Sequence, residues 1–276
     1  MAKPMMSGGD IVSETKLRDS LSRIRHVIIV MSGKGGVGKS TVSSNLAMSL
    51  SLKGYQTGLM DIDITGPSIP KMFHIEDSKL YADDDKLIPV SVPPSLSIMS
   101  MGFLLPERDS AVIWRGPMKA SAIRQFIEDV NWGDLDYLII DMPPGTGDEA
   151  LSIIQLIPKA DGAVIVTTPQ DVAILDGRKS VNFAITTKLP ILGLIENMSG
   201  FVCPHCKECT EIFGSGGGEK TAENLNIQFL GRVPLEPGVV RSGDAGMPIV
   251  ISDPDSKSAA AFNAITEKLI KTVEKK

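Results

Sequence analysis

At 276 residues the chain exceeds an average domain yet stays within the size of one large α/β domain, and its 42% hydrophobic, 22% charged and 5% aromatic residues exclude a disordered or low-complexity scaffold. A formal net charge of -5 disfavours broad attraction to nucleic acid or to anionic lipid. Its three cysteines, Cys203, Cys206 and Cys209, are too few and too clustered for a disulfide framework, and they point to a metal or redox site in a reducing compartment.

Residues 1–24 are polar, are broken by Pro4, Gly8 and Gly9, and read as a flexible segment without the apolar stretch of a signal peptide. No run approaches the roughly 18 apolar residues of a membrane span, so a soluble, cytoplasmic protein that engages neither membrane nor nucleic acid is expected. Residues 25–276 read as one domain. Aliphatic runs at 26–31, 57–61, 96–101, 137–141, 163–167, 191–196 and 228–231 alternate with helical patterns near 39–53, 117–130, 148–157, 171–187 and 217–225. This alternation predicts an α/β fold with a doubly wound, mostly parallel sheet and helices on both faces. The stretch 76–95, with Asp83, Asp84 and Asp85 and several prolines, predicts a surface excursion. In the tail, Ala261, Phe262, Ile265, Leu269 and Val273 recur at helical spacing, which predicts a helix with one face on the core.

Directly after the first run comes Gly33-Lys34-Gly35-Gly36-Val37-Gly38-Lys39-Ser40-Thr41, which fits G-x-x-x-x-G-K-[ST] in a strand-to-helix setting. The glycines allow backbone N–H groups to turn inward around an anion, and the helix beginning near Lys39 aims its positive end at the same point. Lys39 is placed to reach the β- and γ-phosphates of ATP, and the Ser40 hydroxyl to take a Mg2+ position. Lys34 is not required by this cradling, and on spacing alone it reads equally as a solvated charge.

The second run closes on Asp61-Ile62-Asp63, two carboxylates at the sheet edge where open α/β folds bind ligands. Asp61 is assigned to the magnesium shell or to support of the loop. The run ending at Asp141 precedes Met142-Pro143-Pro144-Gly145-Thr146-Gly147-Asp148, so Asp141 is positioned to hold a magnesium-bound water and the loop after it to move with the γ-phosphate. Asn197 follows the run at 191–196; its carboxamide suits the adenine edge, and it suits a turn equally well. The backbone near Pro234 lines the same expected pocket.

Cys203-Pro204-His205-Cys206-Lys207-Glu208-Cys209 supplies thiols at C-x-x-C-x-x-C spacing. Two thiolates can share one metal, but tetrahedral zinc or a [4Fe-4S] cluster normally takes four protein ligands, so one C-x-x-C is half a site. A redox pair and a solitary structural zinc are the alternatives.

The loop from Lys34 to Ser40, with a lysine at each end, resembles the deviant phosphate loop of ParA/MinD-type ATPases. That resemblance implies an ATP-dependent homodimer in which Lys34 crosses to the partner's nucleotide. It also implies that Asp63 orients the attacking water and that Asn197 reads adenine. Together with Asp61 to Ser68, Trp114-Arg115-Gly116-Pro117, Asp136 to Asp148 and Asn197 to Phe201, the chain resembles the Mrp/ApbC branch over about residues 25–250. The branch implies a slow ATP hydrolase whose homodimer bridges a [4Fe-4S] cluster through Cys203 and Cys206 of each subunit and transfers it to apo iron-sulfur proteins. Hydrolysis without an arginine finger runs at roughly 10⁻⁴ to 10⁻² per second. Two departures stand out: Cys209 is additional to the pair, and residues 1–24 hold no cysteine, so no second cluster site is expected. A spatial-positioning ATPase of the ParA/MinD kind would use the terminal helix as an anchor, yet its polar face mixes Glu267 and Glu274 with the lysines. A targeting ATPase with zinc at the dimer interface should carry a Met-rich insertion, whereas the 13 methionines are scattered.

Overall fold

The structure is a computed structural model and describes residues 21–275 except 85, 105–115, 158–159, 204 and 207. Residues 1–20 of the expected N-terminal segment, Asp85, Trp114, Arg115, Pro204 and Lys207 therefore lie outside the described residues. In chain order the strands are β1 (Ile24–Met31), β2 (Thr57–Asp61), β3 (Tyr81–Asp83), β4 (Lys86–Ile88), β5 (Val90–Val92), β6 (Leu96–Ser100), β7 (Leu135–Asp141), β8 (Gly162–Thr167), β9 (Ile191–Glu196), β10 (Phe201–Val202), β11 (Cys209–Thr210) and β12 (Phe229–Arg232). The helices are α1 (Lys39–Leu52), α2 (Ile69–Met72), α3 (Gly116–Asp129), α4 (Asp148–Leu156), α5 (Asp171–Thr186), α6 (Gly217–Asn224), α7 (Pro237–Asp244), α8 (Ile249–Ser252) and α9 (Lys257–Glu274).

β1 is buried without a break from Val27 to Met31, as a strand covered on both faces must be. It sits inside an eight-stranded sheet of order β12-β9-β8-β1-β7-β2-β6-β5. Every pairing is parallel except that of β5 with β6. All seven aliphatic runs are strands of this sheet, and the predicted helices occupy their expected places. Side chains alternate between two cores. On one face Ile28, Val30, Leu59, Ile139 and Val164 meet Val42, Leu46 and Leu50 of α1 and Phe262, Ile265 and Leu269 of α9. On the other, Ile29, Met60, Leu138, Ile140 and Ile165 meet Ile123, Phe126 and Ile127 of α3, Ile153 of α4 and Val181 of α5.

The stretch 76–95 is more than an excursion. β3 and β4 form a hairpin that is largely exposed, but β5 joins the sheet as its antiparallel edge. Three-residue strands without an apolar run carry too little periodicity to be read beforehand.

The chain passes from β1 to β2 on one side of the sheet and on to β8, β9 and β12 on the other, so a crevice opens beyond the carboxyl end of β1. Register brings the site to this edge: Val30 and Asp61 are both aligned with Asp141.

Helix α9 settles the role of the tail. Ser256 caps it by accepting the Ala259 N–H at 3.1 Å, and Phe262, Ile265, Leu269 and Val273 are all buried. Its apolar face is spent on the core, and among the described residues no helix is long and apolar enough to cross a membrane. Phe262→Ala should cost about 3–5 kcal/mol in urea denaturation, whereas truncating the exposed Lys268 should change stability by less than about 0.5 kcal/mol. Equal effects would contradict this packing.

Candidate nucleotide and thiol site

Between β1 and α1 the chain turns through Gly36 and Gly38, both with positive φ, at 79° and 81°. Gly38 is the more constrained: its positive φ strains any side chain, and a Cβ there would lie 2.2 Å from Asn197 Nδ2 and displace that amide. The loop borders a cleft of about 250 Å³ lined by Lys34, Gly35, Lys39, Ser40, Asp63 and Pro144, among others. Beside it lies a more apolar chamber of about 340 Å³, whose walls include Thr41, Asn197, Met198, Pro234, Leu235 and Val239. A polar cleft joined to an apolar chamber suits a ligand with a charged chain at one end and a flat ring at the other.

Asp141 organises the polar side. Its Oδ2 accepts Lys39 Nζ at 2.8 Å and Ser40 Oγ at 2.6 Å, and its Oδ1 accepts Ser43 Oγ at 2.6 Å. Lys39 is only 6% exposed and Asp141 not at all, so the ion pair works in low dielectric. Ser43 was missed by sequence reasoning; it lies one turn beyond Ser40 on the same face of α1, a polar residue where a core residue is due. A hydroxyl and a carboxylate beside a phosphate cradle are the hard oxygen donors that Mg2+ prefers, so the residues present fit that ion.

Asp61 and Asp63 have separate duties. Asp63 lines the cleft at 9% exposure, and its Oδ1 accepts Thr65 Oγ1 at 2.8 Å and the N–H groups of Thr65 and Gly66, both at 3.1 Å. Those contacts fix the carboxylate and leave Oδ2 without a protein hydrogen bond among the described residues. Asp61 is fully buried; it accepts Ser100 Oγ at 2.8 Å and the Asp63 N–H at 3.2 Å, and so shapes the loop that carries Asp63. Burial, and secondarily the Asp141 charge, push its carboxyl up to about 7, against the pull of Ser100, Lys39 and the Asp63 N–H.

On the chamber side, Asn197 donates Nδ2–H to the Val37 carbonyl at 2.9 Å. This bond turns Oδ1 away as the remaining acceptor. Pro234 stands in the chamber wall, as expected. Lys34 is half-buried at the cleft, and its carbonyl accepts Ser32 Oγ at 2.9 Å. Gly33 packs against the backbone carbonyl of Asp176 on α5.

Past Asn197 the chain enters a small ribbon in which β10 and β11 pair antiparallel, with Val202 opposite Cys209. The Cys203 N–H bonds the Glu208 carbonyl at 2.9 Å. Cys203 follows Val202 directly, just past the end of β10. Cys209 Sγ lies over Gly200, 3.1 Å from where a Cβ would stand. Cys206, at the exposed tip, contacts Glu208 Oε2 at 3.8 Å.

A phosphate chain is the ligand that the buried lysine, the serine hydroxyl and the glycine cradle converge to serve, and this places the protein among P-loop NTPases. Residues 23–270 match the ParA family model described as NUBPL iron-transfer P-loop NTPase, and the chain belongs to that family. It is 49% identical over 263 residues to an iron-sulfur cluster carrier protein of Methanocaldococcus jannaschii, covering 95% of this chain and 90% of the relative. It is 46% identical over 265 residues to the cytosolic Fe-S cluster assembly factor NUBP2 of Gallus gallus, covering 95% and 96%. Among solved structures, a nucleotide-binding protein from Archaeoglobus fulgidus in complex with ADP superposes with a TM-score of 0.77 at 39% identity, over 88% of this chain and 94% of that one. The resemblance read from the motifs therefore holds.

The raised Asp61 carboxyl has a signed consequence. Folded, the group keeps its proton up to about pH 7, whereas its ordinary value is 3.8, so between these values the folded state binds more protons and stability falls as pH rises. In nucleotide-free protein with EDTA, Asp61→Asn should gain stability relative to wild type across that window and hold a constant difference above it. A difference independent of pH in urea melts would contradict the assignment.

Proposed function

We propose that the chain is a slow ATP hydrolase that carries iron-sulfur clusters. Two copies pair, Cys203 and Cys206 of each supply the thiolates of a shared [4Fe-4S] cluster, and the cluster passes to apo iron-sulfur proteins. One observation carries the reading: the exposed thiol ribbon continues directly from the strand end that bears Asn197 and the nucleotide chamber. The names of the relatives from Methanocaldococcus jannaschii and Gallus gallus support the cargo, and the second supports a cytosolic setting. Residues 25–276 act as one ATPase domain, without a nucleic-acid or membrane partner.

In the ATPase cycle Lys39 exchanges Asp141 for oxygens of the β- and γ-phosphates. Ser40 and Asp141, backed by Asp61, would hold the magnesium ion, which neutralises charge on the phosphates. Asp63 keeps its Oδ1 bonds to Thr65 and Gly66 and offers Oδ2 to the attacking water. The water oxygen bonds to the γ-phosphorus as its bond to the bridging oxygen breaks, giving ADP, inorganic phosphate and a proton. Lys34 crosses to the partner's phosphates, and Asn197 Oδ1 accepts from the adenine amino group. The backbone N–H groups from Gly33 to Thr41 complete the cradle.

Cys203 and Cys206 lie toward the outer end of the ribbon and are the proposed ligands, while Cys209, exposed but turned toward Gly200, is left out of that set in this reading. Anaerobic reconstitution should yield about four iron and four sulfide per dimer, with broad absorption near 400 nm. Cys203→Ser or Cys206→Ser should abolish that absorption and Cys209→Ser should largely spare it. Tightly bound zinc without sulfide after the same treatment would overturn the cargo.

A further inference from the structure

Glu196, the last residue of β9, is fully buried, yet neither the phosphate cleft nor the thiol pair accounts for it. Its Oε1 accepts Ser199 Oγ at 2.5 Å and the Gly216 N–H at 2.8 Å, and its Oε2 accepts the Gly218 N–H. Ser199 belongs to the chain entering the cysteine ribbon. Gly216 and Gly218 belong to the chain leaving it, at the start of α6. One carboxylate thus holds both legs of the ribbon, and Ser199 Oγ lies 3.3 Å from Ser215 Oγ as a further tie between them.

The charge is met by hydrogen-bond donors at a helix N-terminus. Arg232, aligned with Glu196 in the sheet, turns its guanidinium to Glu219 instead. The fit is close: a Cβ on Gly218 would lie 2.9 Å from Glu196 Oε2, so only glycine admits the approach. Of the glycine-rich run 214–218, this seat accounts for Gly216 and Gly218, while Gly217 is held to glycine by Ile174 and the Pro169 carbonyl.

The neighbours of Glu196 belong to the nucleotide chamber. Asn197 follows it immediately and is bonded to Val37 of the phosphate loop. The Ser199 N–H bonds the Val233 carbonyl at 2.9 Å and the Leu235 N–H bonds the Gly200 carbonyl at 2.8 Å, which ties the same leg to the segment carrying Pro234. β10 and β11 have two residues each, too few to hold a ribbon in place by their own pairing. Their placement depends on the base of the ribbon.

We propose that Glu196 is a positioning residue that couples nucleotide occupancy to the placement of the cysteine ribbon: it locks both legs of the ribbon to the strand end whose next residue meets the nucleobase. The proposal rests on the carrier reading for its purpose, but its observable is the thiols themselves. Coupling between sites is reciprocal, so a nucleotide that shifts the ribbon must itself bind differently when the ribbon is restrained.

The test uses the full-length, cluster-free chain and a maleimide, with labelling of Cys206 followed by peptide mass spectrometry. In wild type, saturating ATP with Mg2+ should change the Cys206 labelling rate by about five-fold or more, the lower range of measured couplings. Glu196→Gln keeps one carbonyl oxygen for Ser199 and Gly216 but sets an NH2 against the Gly218 N–H, breaking one of the two bonds that hold the α6 leg. Its ATP dissociation constant without a thiol ligand should stay within about two-fold of wild type while the labelling ratio falls to about one. Ser199→Ala and Ser215→Ala, milder changes that keep the carboxylate, should give intermediate ratios and serve should Glu196→Gln not fold. A full ratio in these variants with ATP bound, or no nucleotide effect in wild type, would overturn the proposal. Failure of cluster reconstitution with the labelling ratio intact would instead sink the cargo and leave this coupling standing.

Discussion

The charge on Asp141 is what the site is built around. It stands at the end of a central strand, and three groups from the start of α1 reach it: Lys39, Ser40 and Ser43. Without them a fully buried carboxylate would be untenable, and without it a nearly buried lysine would be. Removing one member of such a pair typically costs about 3–5 kcal/mol. The interaction therefore docks the start of α1 on β7 and holds the phosphate loop ready before any nucleotide arrives. In the proposed ATPase cycle the lysine leaves this anion to meet the phosphates, one negative partner replacing another.

From this hub the remaining features follow along the sheet edge. Asp61, aligned with Asp141, feels its charge and holds its own proton to an unusually high pH, and it fixes the loop of Asp63 through a backbone hydrogen bond. Two strands away on the other side of β1, β9 delivers Asn197 to the loop and Glu196 to the base of the ribbon. Rigid parallel strands position the phosphate chemistry, while a two-residue ribbon presents the thiols. The contrast in stiffness suits the proposed function, in which nucleotide binds the same way each time while a cargo held on the thiols is handed over.

Much of this was legible beforehand because the signals are local. Continuous runs such as Val27 to Met31 mark buried parallel strands, and the glycine-lysine pattern ending at Ser40 marks the phosphate loop on its own. The tail helix was legible through the spacing of Phe262, Ile265 and Leu269. What escaped depends on contacts between distant segments. Ser43 acquires meaning only when β7 lies against α1, and Glu196 only when residues 214–218 fold back on it. The face to which Cys209 turns is set by the register of the ribbon, which cysteine spacing does not encode. β5 is a strand because the exposed edge of β6 is there to receive it, and α2 and α8, of four residues each, are too short to show a helical period.

The exchange at Asp141 can be measured directly through the magnesium dependence of ATP binding by titration calorimetry. Wild type should bind ATP more tightly with Mg2+ than with EDTA if, as proposed, Asp141 joins the shell around the ion once Lys39 releases it. Asp141→Asn frees the lysine and removes the carboxylate, so its affinity in EDTA should match or exceed that of wild type and the gain from Mg2+ should shrink to what Ser40 and the phosphates alone supply. A variant that keeps the full wild-type gain from Mg2+ would contradict the role of Asp141 as the hub.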